Sequence, residues 1–126
     1  MRPNSPDLSI YQPQLTWYMS SAHRITGVAA AGGLYLGSIA YLLAPYLSAK
    51  GGFDSASVVT ALSTVPAGVK VAGKATLSWL VTYHMFNGMR HLLWDTGRAL
   101  TMRGVYATGY AVLGSSAVTA LILALI

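Results

Sequence analysis

Three histidines lie in or beside apolar stretches of this chain, where an ionisable side chain is costly unless it has a partner or a function. His84 is the deepest of them, inside the run Trp79-Leu-Val-Thr-Tyr-His-Met-Phe. A neutral imidazole there can bind a haem iron, relay a proton or form a structural hydrogen bond to a neighbouring helix. The residue type and its depth leave these three roles open.

The residues that follow His84 favour a planar ligand. His84, Gly88 and His91 fall on one stripe of a helix, at positions i, i+4 and i+7. A glycine one turn from a histidine leaves a flat gap where a large planar ring can lie. One histidine supplies one axial ligand, so a low-spin haem would take its second ligand from elsewhere. His91 is nearer the end of the apolar stretch, and we expect it to bond a propionate, a phosphate or a loop.

A second polar cluster comprises Ser20, Ser21, His23 and Arg24. Ser20 and Arg24 are four residues apart and share a face if the first helix starts early. A hydroxyl donor and a guanidinium at a membrane interface suit a carbonyl-bearing amphiphile or a carboxylate. The alternative is a serine that caps a helix, followed by an arginine on the positive side of the membrane. A zinc site is not expected, because the histidines lack close ligand spacing.

The composition indicates that membrane helices must position these side chains. Hydrophobic residues make up 54% of the chain and charged residues only 9%, against roughly 25% charged residues in soluble domains. The net charge of +5 comes from scattered basic residues rather than a patch that would bind nucleic acid. The absence of cysteine excludes disulfides, an iron–sulfur cluster on this chain and thioether-attached haem.

Charge-free stretches predict the membrane spans. Residues 25–49 and 104–126 form uncharged runs of 25 and 23 residues, and a helix needs about 20 residues to cross the hydrocarbon. The middle span contains only 15 uncharged residues between Lys74 and Arg90, so it requires lysines that snorkel to one interface. We predict an all-α membrane protein whose three transmembrane helices cover about 21–48, 68–95 and 104–126 and form part of a heteromeric helix bundle.

The connecting segments and the basic residues complete this prediction. Residues 1–20 are predicted to be an N-terminal arm, and residues 55–62 a short interfacial helix. Five arginines fall on one side of the three-helix layout and three lysines on the other. By the positive-inside rule the N-terminus faces the cytoplasm or the mitochondrial matrix. The pattern Gly33-Leu-Tyr-Leu-Gly37 permits close helix approach and favours helical partners in the membrane.

Motifs in two parts of the chain together resemble a known family. The first part contains Arg2-Pro-Asn-Ser-Pro-Asp-Leu-Ser-Ile-Tyr11 and Ser20-Ser-Ala-His-Arg-Ile-Thr-Gly27, and the second contains His84-Met-Phe-Asn-Gly-Met-Arg-His-Leu-Leu-Trp-Asp95. In this order, on three apolar segments, they resemble the cytochrome b560 subunit of succinate dehydrogenase, the large membrane anchor of respiratory complex II. The resemblance covers most of the chain. The chain departs from the family pattern at Asp7, where many members carry histidine.

The resemblance implies a role for each matching residue. His84 corresponds to an axial ligand of haem b, whose second histidine comes from the small anchor subunit. Ser20 and Arg24 correspond to residues that line the ubiquinone pocket. His23 and Arg24 correspond to positions close to the haem propionates, and His91 is expected in the same vicinity. No catalytic residue for succinate oxidation is expected on this chain.

The same resemblance implies the function of the assembly. A flavoprotein subunit oxidises succinate, an iron–sulfur subunit carries the electrons, and the two anchor subunits form the ubiquinone-reduction site. Expected partners are these three subunits and membrane lipid, with no nucleic acid. The expected location is the mitochondrial inner membrane with the N-terminus on the matrix side, or a bacterial inner membrane. Two alternatives stay open: an anchor of a quinol:fumarate reductase, and a haem-free transporter or channel subunit in which His84 and Arg90 line a polar path.

Overall fold

The computed structural model describes residues 10–47 and 55–126. These residues form four α-helices: α1 (Leu15–Leu47), α2 (Ser55–Ser63), α3 (Ala67–Asp95) and α4 (Met102–Leu125). The all-α prediction is confirmed. The short helix predicted at residues 55–62 is α2. The first nine residues of the predicted N-terminal arm lie outside the described residues, and so does residue 48 at the end of the predicted first helix.

The start of α1 differs from the predicted start at residue 21. The helix begins at Leu15, and the Gln14 carbonyl accepts hydrogen bonds from the backbone N–H groups of Trp17 and Tyr18. Apolar residues from Leu15 to Met19 continue the helical period toward the N-terminus, and Pro13 stands just ahead of them. The polar run that begins at Ser20 resembles a cap in the sequence but lies inside the helix. Ser20 and Arg24 therefore share a helical face.

The other helix ends lie within two residues of the predicted positions. Pro66 precedes α3, and the turn after Asp95 contains Gly97 at a φ of 75°, a left-handed conformation that glycine adopts without steric cost. The Thr101 side chain caps α4 by accepting a hydrogen bond from the Gly104 N–H at 3.2 Å.

Two of the described helices, α1 and α4, are each long and apolar enough to cross a membrane. A third span is obtained only if α2 and α3, which are bent by 118° at their junction, count as one broken span. The difference from the simple three-span prediction arises in α3, because its Lys70, Lys74 and Arg90 lower the apolarity of the helix.

Three of the described helices pack together, with α3 in contact with both α1 and α4. Met19 of α1, Tyr83 of α3 and Val112 of α4 form the buried apolar core. The Tyr83 hydroxyl donates a hydrogen bond to the Met19 carbonyl at 2.8 Å, which ties α3 to the first turns of α1. The later part of α1 is different, since its large side chains are exposed, including Tyr35 at 68% and Tyr46 at 86%. The candidate residues of α1, which are Ser20, His23 and Arg24, lie in its first part, although Arg24 itself is exposed.

Gly109 of α4 lies where side chains from α1 and α3 converge. A Cβ atom there would lie 3.0 Å from Leu15 Cδ2, 3.2 Å from Met19 Sδ and 3.4 Å from Arg90 Nη2. We expect Gly109→Val to lower the free energy of unfolding by about 1–3 kcal/mol through overpacking. Gly114→Val is the matched control, because no atom lies within 4 Å of its Cβ position. Thermal unfolding in detergent measures both, and equal losses of stability would contradict this packing role.

Candidate functional site: a histidine cluster between α1 and α3

The structure brings His84 of α3 directly against His23 of α1. Their rings are stacked, with centroids 4.1 Å apart and planes inclined by 6°. His84 Nδ1 lies 3.0 Å from the His23 carbonyl oxygen and 3.5 Å from Thr26 Oγ1. The two histidines were assigned from separate motifs, and the packing of α1 against α3 joins them into one cluster.

The contact with the His23 carbonyl determines which nitrogen of His84 carries the proton. A carbonyl oxygen only accepts hydrogen bonds, so His84 Nδ1 must be the donor. The neutral ring then has an unprotonated Nε2 with a free lone pair. Metal-binding histidines have this arrangement, in which the second ring nitrogen donates to a carbonyl or carboxylate and fixes the tautomer.

Gly27 is a close neighbour of the His84 ring that sequence reasoning did not assign to the site. A Cβ atom at Gly27 would lie 2.6 Å from His84 Cε1 and 3.1 Å from His84 Nδ1. A side chain larger than hydrogen would therefore displace the imidazole from this position. The sequence contains Gly27 in the motif that ends Ile-Thr-Gly, but its role depends on a residue 57 positions further along the chain.

A haem fits the donor chemistry of this cluster. The unprotonated His84 Nε2 is a suitable iron ligand. The space beside Gly88, which the helical stripe was predicted to leave for a planar ring, is in contact with His23, whose Cε1 lies 3.9 Å from a Cβ built at Gly88. The His23 ring is stacked on the His84 ring, so His23 would not serve as a second ligand of an iron held by His84. Residues 10–47 and 55–126 contain no group of three or more histidine and carboxylate side chains that could hold a metal ion by itself.

His91 extends the cluster toward the end of α3. Its ring centroid lies 5.1 Å from that of His23 and 5.1 Å from that of Trp94. Asn87 Nδ2 lies 3.5 Å from His91 Nε2. Two buried nitrogens flanking His91, His23 Nδ1 and Trp94 Nε1, have no hydrogen-bond partner in the described part of the chain. Buried polar atoms normally have partners, so these two nitrogens are exceptions among the described residues.

Arg90 is the buried charge beside this cluster, and sequence reasoning did not include it in the predicted site. Only 4% of its surface is exposed. Its described contacts are with Thr108 Oγ1 at 3.1 Å, the Val105 carbonyl at 2.8 Å, Asn87 Oδ1 at 3.4 Å, Met19 Sδ at 3.7 Å and the Trp94 ring at 4.1 Å. None of these groups is a carboxylate. Arg90 thus joins three helices through neutral acceptors.

Ser20 and Arg24 have different surroundings. Ser20 lines a cleft of about 350 Å³ whose walls also include Asn87, His91 and Trp94, a volume at the lower end of small-molecule sites. Arg24 lies one turn after Ser20 on the same face of α1 and is exposed. It is not among the residues that line this cleft. The described residues thus bring Ser20, but not Arg24, to the cleft beside His91.

Comparison with known proteins identifies the family of this chain. A family model described as the succinate dehydrogenase/fumarate reductase transmembrane subunit matches residues 1–123. The chain belongs to this family. The resemblance predicted from the motifs is confirmed by relatives, including the succinate dehydrogenase cytochrome B subunit, mitochondrial, of Schizosaccharomyces pombe, which is 51% identical over 118 residues, or 94% of the chain.

Two further relatives align over a similar part of the chain. The succinate dehydrogenase cytochrome b560 subunit, mitochondrial, of Bos taurus is 41% identical over 89% of the chain. A Saccharomyces cerevisiae relative named mitochondrial inner membrane protein SHH3 is 37% identical over 93% of the chain. The chain spans 64%, 63% and 59% of the lengths of the S. pombe, B. taurus and S. cerevisiae relatives, respectively. As a member of this family, the chain is related to subunits of an oxidoreductase complex.

Proposed function

We propose that this chain is a membrane anchor subunit of succinate dehydrogenase that binds haem b through His84. The observation that carries the proposal is the 3.0 Å contact between His84 Nδ1 and the His23 carbonyl, which leaves Nε2 free to bind iron. In this proposal a second ligand for the haem iron would come from the small anchor subunit. His23, Arg24 and His91 lie in the vicinity of the haem propionates.

The assembly proposed for the chain has three further subunits and a mitochondrial membrane location. The names of the mitochondrial relatives and the apolar helices α1 and α4 support a location in the inner membrane. The broken α2–α3 pair provides the third span in this arrangement, and the N-terminus lies on the matrix side. The flavoprotein and iron–sulfur subunits dock on that side, and the small anchor subunit lies beside this chain within the membrane.

The proposed ubiquinone-reduction site uses Ser20 and Arg24 of α1. Ser20 can donate a hydrogen bond from its hydroxyl to a quinone carbonyl at the cleft that it lines. The Arg24 guanidinium is positively charged and has hydrogen-bond donors but no acceptor, so its proposed role is to stabilise negative charge rather than to supply a proton. Haem supplies one-electron redox chemistry when it is bound. Protons for quinone reduction come from water or from groups on partner subunits.

A related anchor of a quinol:fumarate reductase is the second candidate function, because the description of the matching family names both enzymes. The two functions share the anchor architecture and differ in the favoured direction of electron flow and in the quinone. Turnover with succinate and ubiquinone, compared with turnover with fumarate and menaquinol, separates them.

The experiment that tests the proposal is a reduced-minus-oxidised absorption spectrum of the complex purified through this chain in mild detergent. A b-type haem band that appears together with flavoprotein and iron–sulfur subunits is the expected result. The same partners without haem would contradict the role of His84 as an iron ligand. A chain that purifies without haem and without redox partners would contradict the anchor function altogether.

Ser20→Ala and Arg24→Ala are each expected to slow ubiquinone reduction by about 10-fold or more. Ser20→Ala removes the proposed hydrogen bond to a quinone oxygen, and Arg24→Ala removes a positive charge one turn further along the same helical face; each interaction is worth roughly 1.5–3 kcal/mol. Succinate oxidation with a soluble electron acceptor and the subunit composition are expected to stay at wild-type level. Ser38→Ala is a matched control on α1, because that exposed hydroxyl bonds only its own helix, at the Leu34 carbonyl. Ubiquinone reduction at the wild-type rate in both variants would show that the quinone pocket lies elsewhere.

A further inference from the structure

A short chain of polar contacts leads from the buried Arg90 to His91. Arg90 Nη1 lies 3.4 Å from Asn87 Oδ1, and Asn87 Nδ2 lies 3.5 Å from His91 Nε2. The Asn87 side chain has no exposed surface, so its amide cannot exchange these partners for solvent. Arg90, Asn87 and His91 all lie on α3, within two turns of helix.

The chemistry of these three side chains permits a single direction of hydrogen bonding. A guanidinium has donors and no acceptor, so the oxygen of the Asn87 amide must face Arg90. The amide nitrogen, which is a donor, then faces His91 Nε2. His91 Nε2 must accept and is unprotonated, and the proton of the neutral ring lies on Nδ1. The Arg90 side chain thereby acts on the tautomer of His91 through Asn87.

We propose that Arg90 and Asn87 are positioning residues that hold the proton of His91 on Nδ1. His91 then presents an N–H donor on the side of its ring away from Asn87. The neighbouring His23 Nδ1 and Trp94 Nε1 are buried and unpartnered within the described residues, and both rings lie 5.1 Å from His91. The N–H donor at His91 Nδ1 suits an anionic acceptor such as a carboxylate. That it is a haem carboxylate rests on the proposed function, whereas the tautomer itself follows from the three side chains alone.

Solid-state NMR of the reconstituted complex with ¹³C,¹⁵N-labelled histidine tests the tautomer directly. The difference between spectra of the wild type and of His91→Gln isolates the His91 signal. The ring carbon Cδ2 is bonded to Nε2 and not to Nδ1. The ¹⁵N signal that correlates with Cδ2 therefore shows whether Nε2 carries a proton. We expect an unprotonated Nε2 and a protonated Nδ1 in the wild type. In Asn87→Leu, which keeps the side-chain size but removes the amide, we expect a protonated Nε2 to appear.

Thr82→Val is the matched control for the NMR experiment. It removes another buried polar group of α3, whose hydroxyl bonds the Ser78 carbonyl at 2.7 Å and the Ser116 carbonyl at 3.3 Å, and it is expected to leave the His91 tautomer unchanged. A protonated Nε2 in the wild type would overturn the proposal. An unchanged tautomer in Asn87→Leu would overturn it as well. The NMR experiment reports the His91 tautomer whether or not haem is bound. A complex without haem would contradict the proposed function, whereas the positioning role would still be decided by the tautomer.

A second measurement is the haem midpoint potential of two His91 variants, in which the buried Asn87 and Arg90 stay in place. In His91→Asn the amide nitrogen is attached to Cγ and can replace the Nδ1 donor of histidine. In His91→Gln the amide nitrogen is one bond further out and corresponds to Nε2. His91→Asn is therefore expected to keep the haem midpoint potential near that of the wild type. His91→Gln is expected to lower it, because an uncompensated carboxylate favours the oxidised iron. The opposite order of potentials would overturn the assignment of the donor to Nδ1.

Discussion

Complexes carrying Gly27→Val are expected to lose haem b almost as completely as complexes carrying His84→Ala. His84→Ala removes the proposed iron ligand itself. Gly27→Val leaves the ligand in the chain but fills the space beside it, because even a Cβ atom there would lie 2.6 Å from His84 Cε1. The imidazole must then move away from the His23 carbonyl that fixes its tautomer. Loss of such an orienting partner costs roughly 10–100-fold in metal affinity.

The haem content per complex, measured from the reduced b-type absorption band, checks this prediction. Gly32→Val is the matched control on the same helix, because no atom lies within 4 Å of its Cβ position. It introduces the same β-branched residue without touching His84 and is expected to keep full haem content. Equal haem content in Gly27→Val and Gly32→Val would show that the His84 position does not depend on Gly27. Full haem content in His84→Ala would move the ligand to another residue.

Arg90→Ala is expected to be the most destabilising single truncation in the packed part of the bundle, at about 3 kcal/mol. The substitution removes the hydrogen bonds to Thr108 Oγ1 and the Val105 carbonyl and the contact with the Trp94 ring. It also leaves a cavity where the guanidinium was, with the polar Asn87 Oδ1 at its edge. The midpoint of thermal unfolding in detergent and the yield of assembled complex measure the loss.

Two further variants separate the causes of that loss. Arg98→Ala removes a positive charge outside the described helices, in the loop between α3 and α4, and is expected to change stability by less than about 0.5 kcal/mol. Arg90→Met restores most of the volume but none of the hydrogen bonds, so its stability is expected to lie between those of Arg90→Ala and the wild type. Wild-type stability in Arg90→Ala would show that the buried guanidinium is not part of what joins α1, α3 and α4.

Sequence periodicity predicted the parts of the site that lie on one helix. The stripe of His84, Gly88 and His91 follows from the helical period alone, and the structure places His84 and His91 against the same histidine of α1. The shared face of Ser20 and Arg24 required only an early helix start, which α1 has. Contacts within four residues of one another are set by local geometry, and for that reason they can be inferred from spacing.

The roles of Gly27 and Arg90 could not be predicted from spacing, because they depend on contacts between distant parts of the chain. Gly27 matters through His84, and Arg90 matters through acceptors on α4 such as Thr108. A glycine in a glycine-rich helix and an arginine near a helix end look ordinary in the sequence. Only the approach of the helices distinguishes Gly27 from Gly32, or Arg90 from a cation at the membrane surface. The bend between α2 and α3 was likewise not predicted, since composition gives no direction to a helix after a proline turn.

The division of α1 into a packed first part and an exposed second part has a consequence for how sequences of this kind can change. Every described contact between α1 and the histidine cluster comes from its packed part, through residues such as His23 and Gly27. The exposed part, which includes Tyr35 and Tyr46, makes none of these contacts. Substitutions that remodel the outer surface of α1 for a different neighbour can therefore accumulate without altering the tautomers and distances at His84. The geometry at His84 thus depends on one end of a single continuous helix.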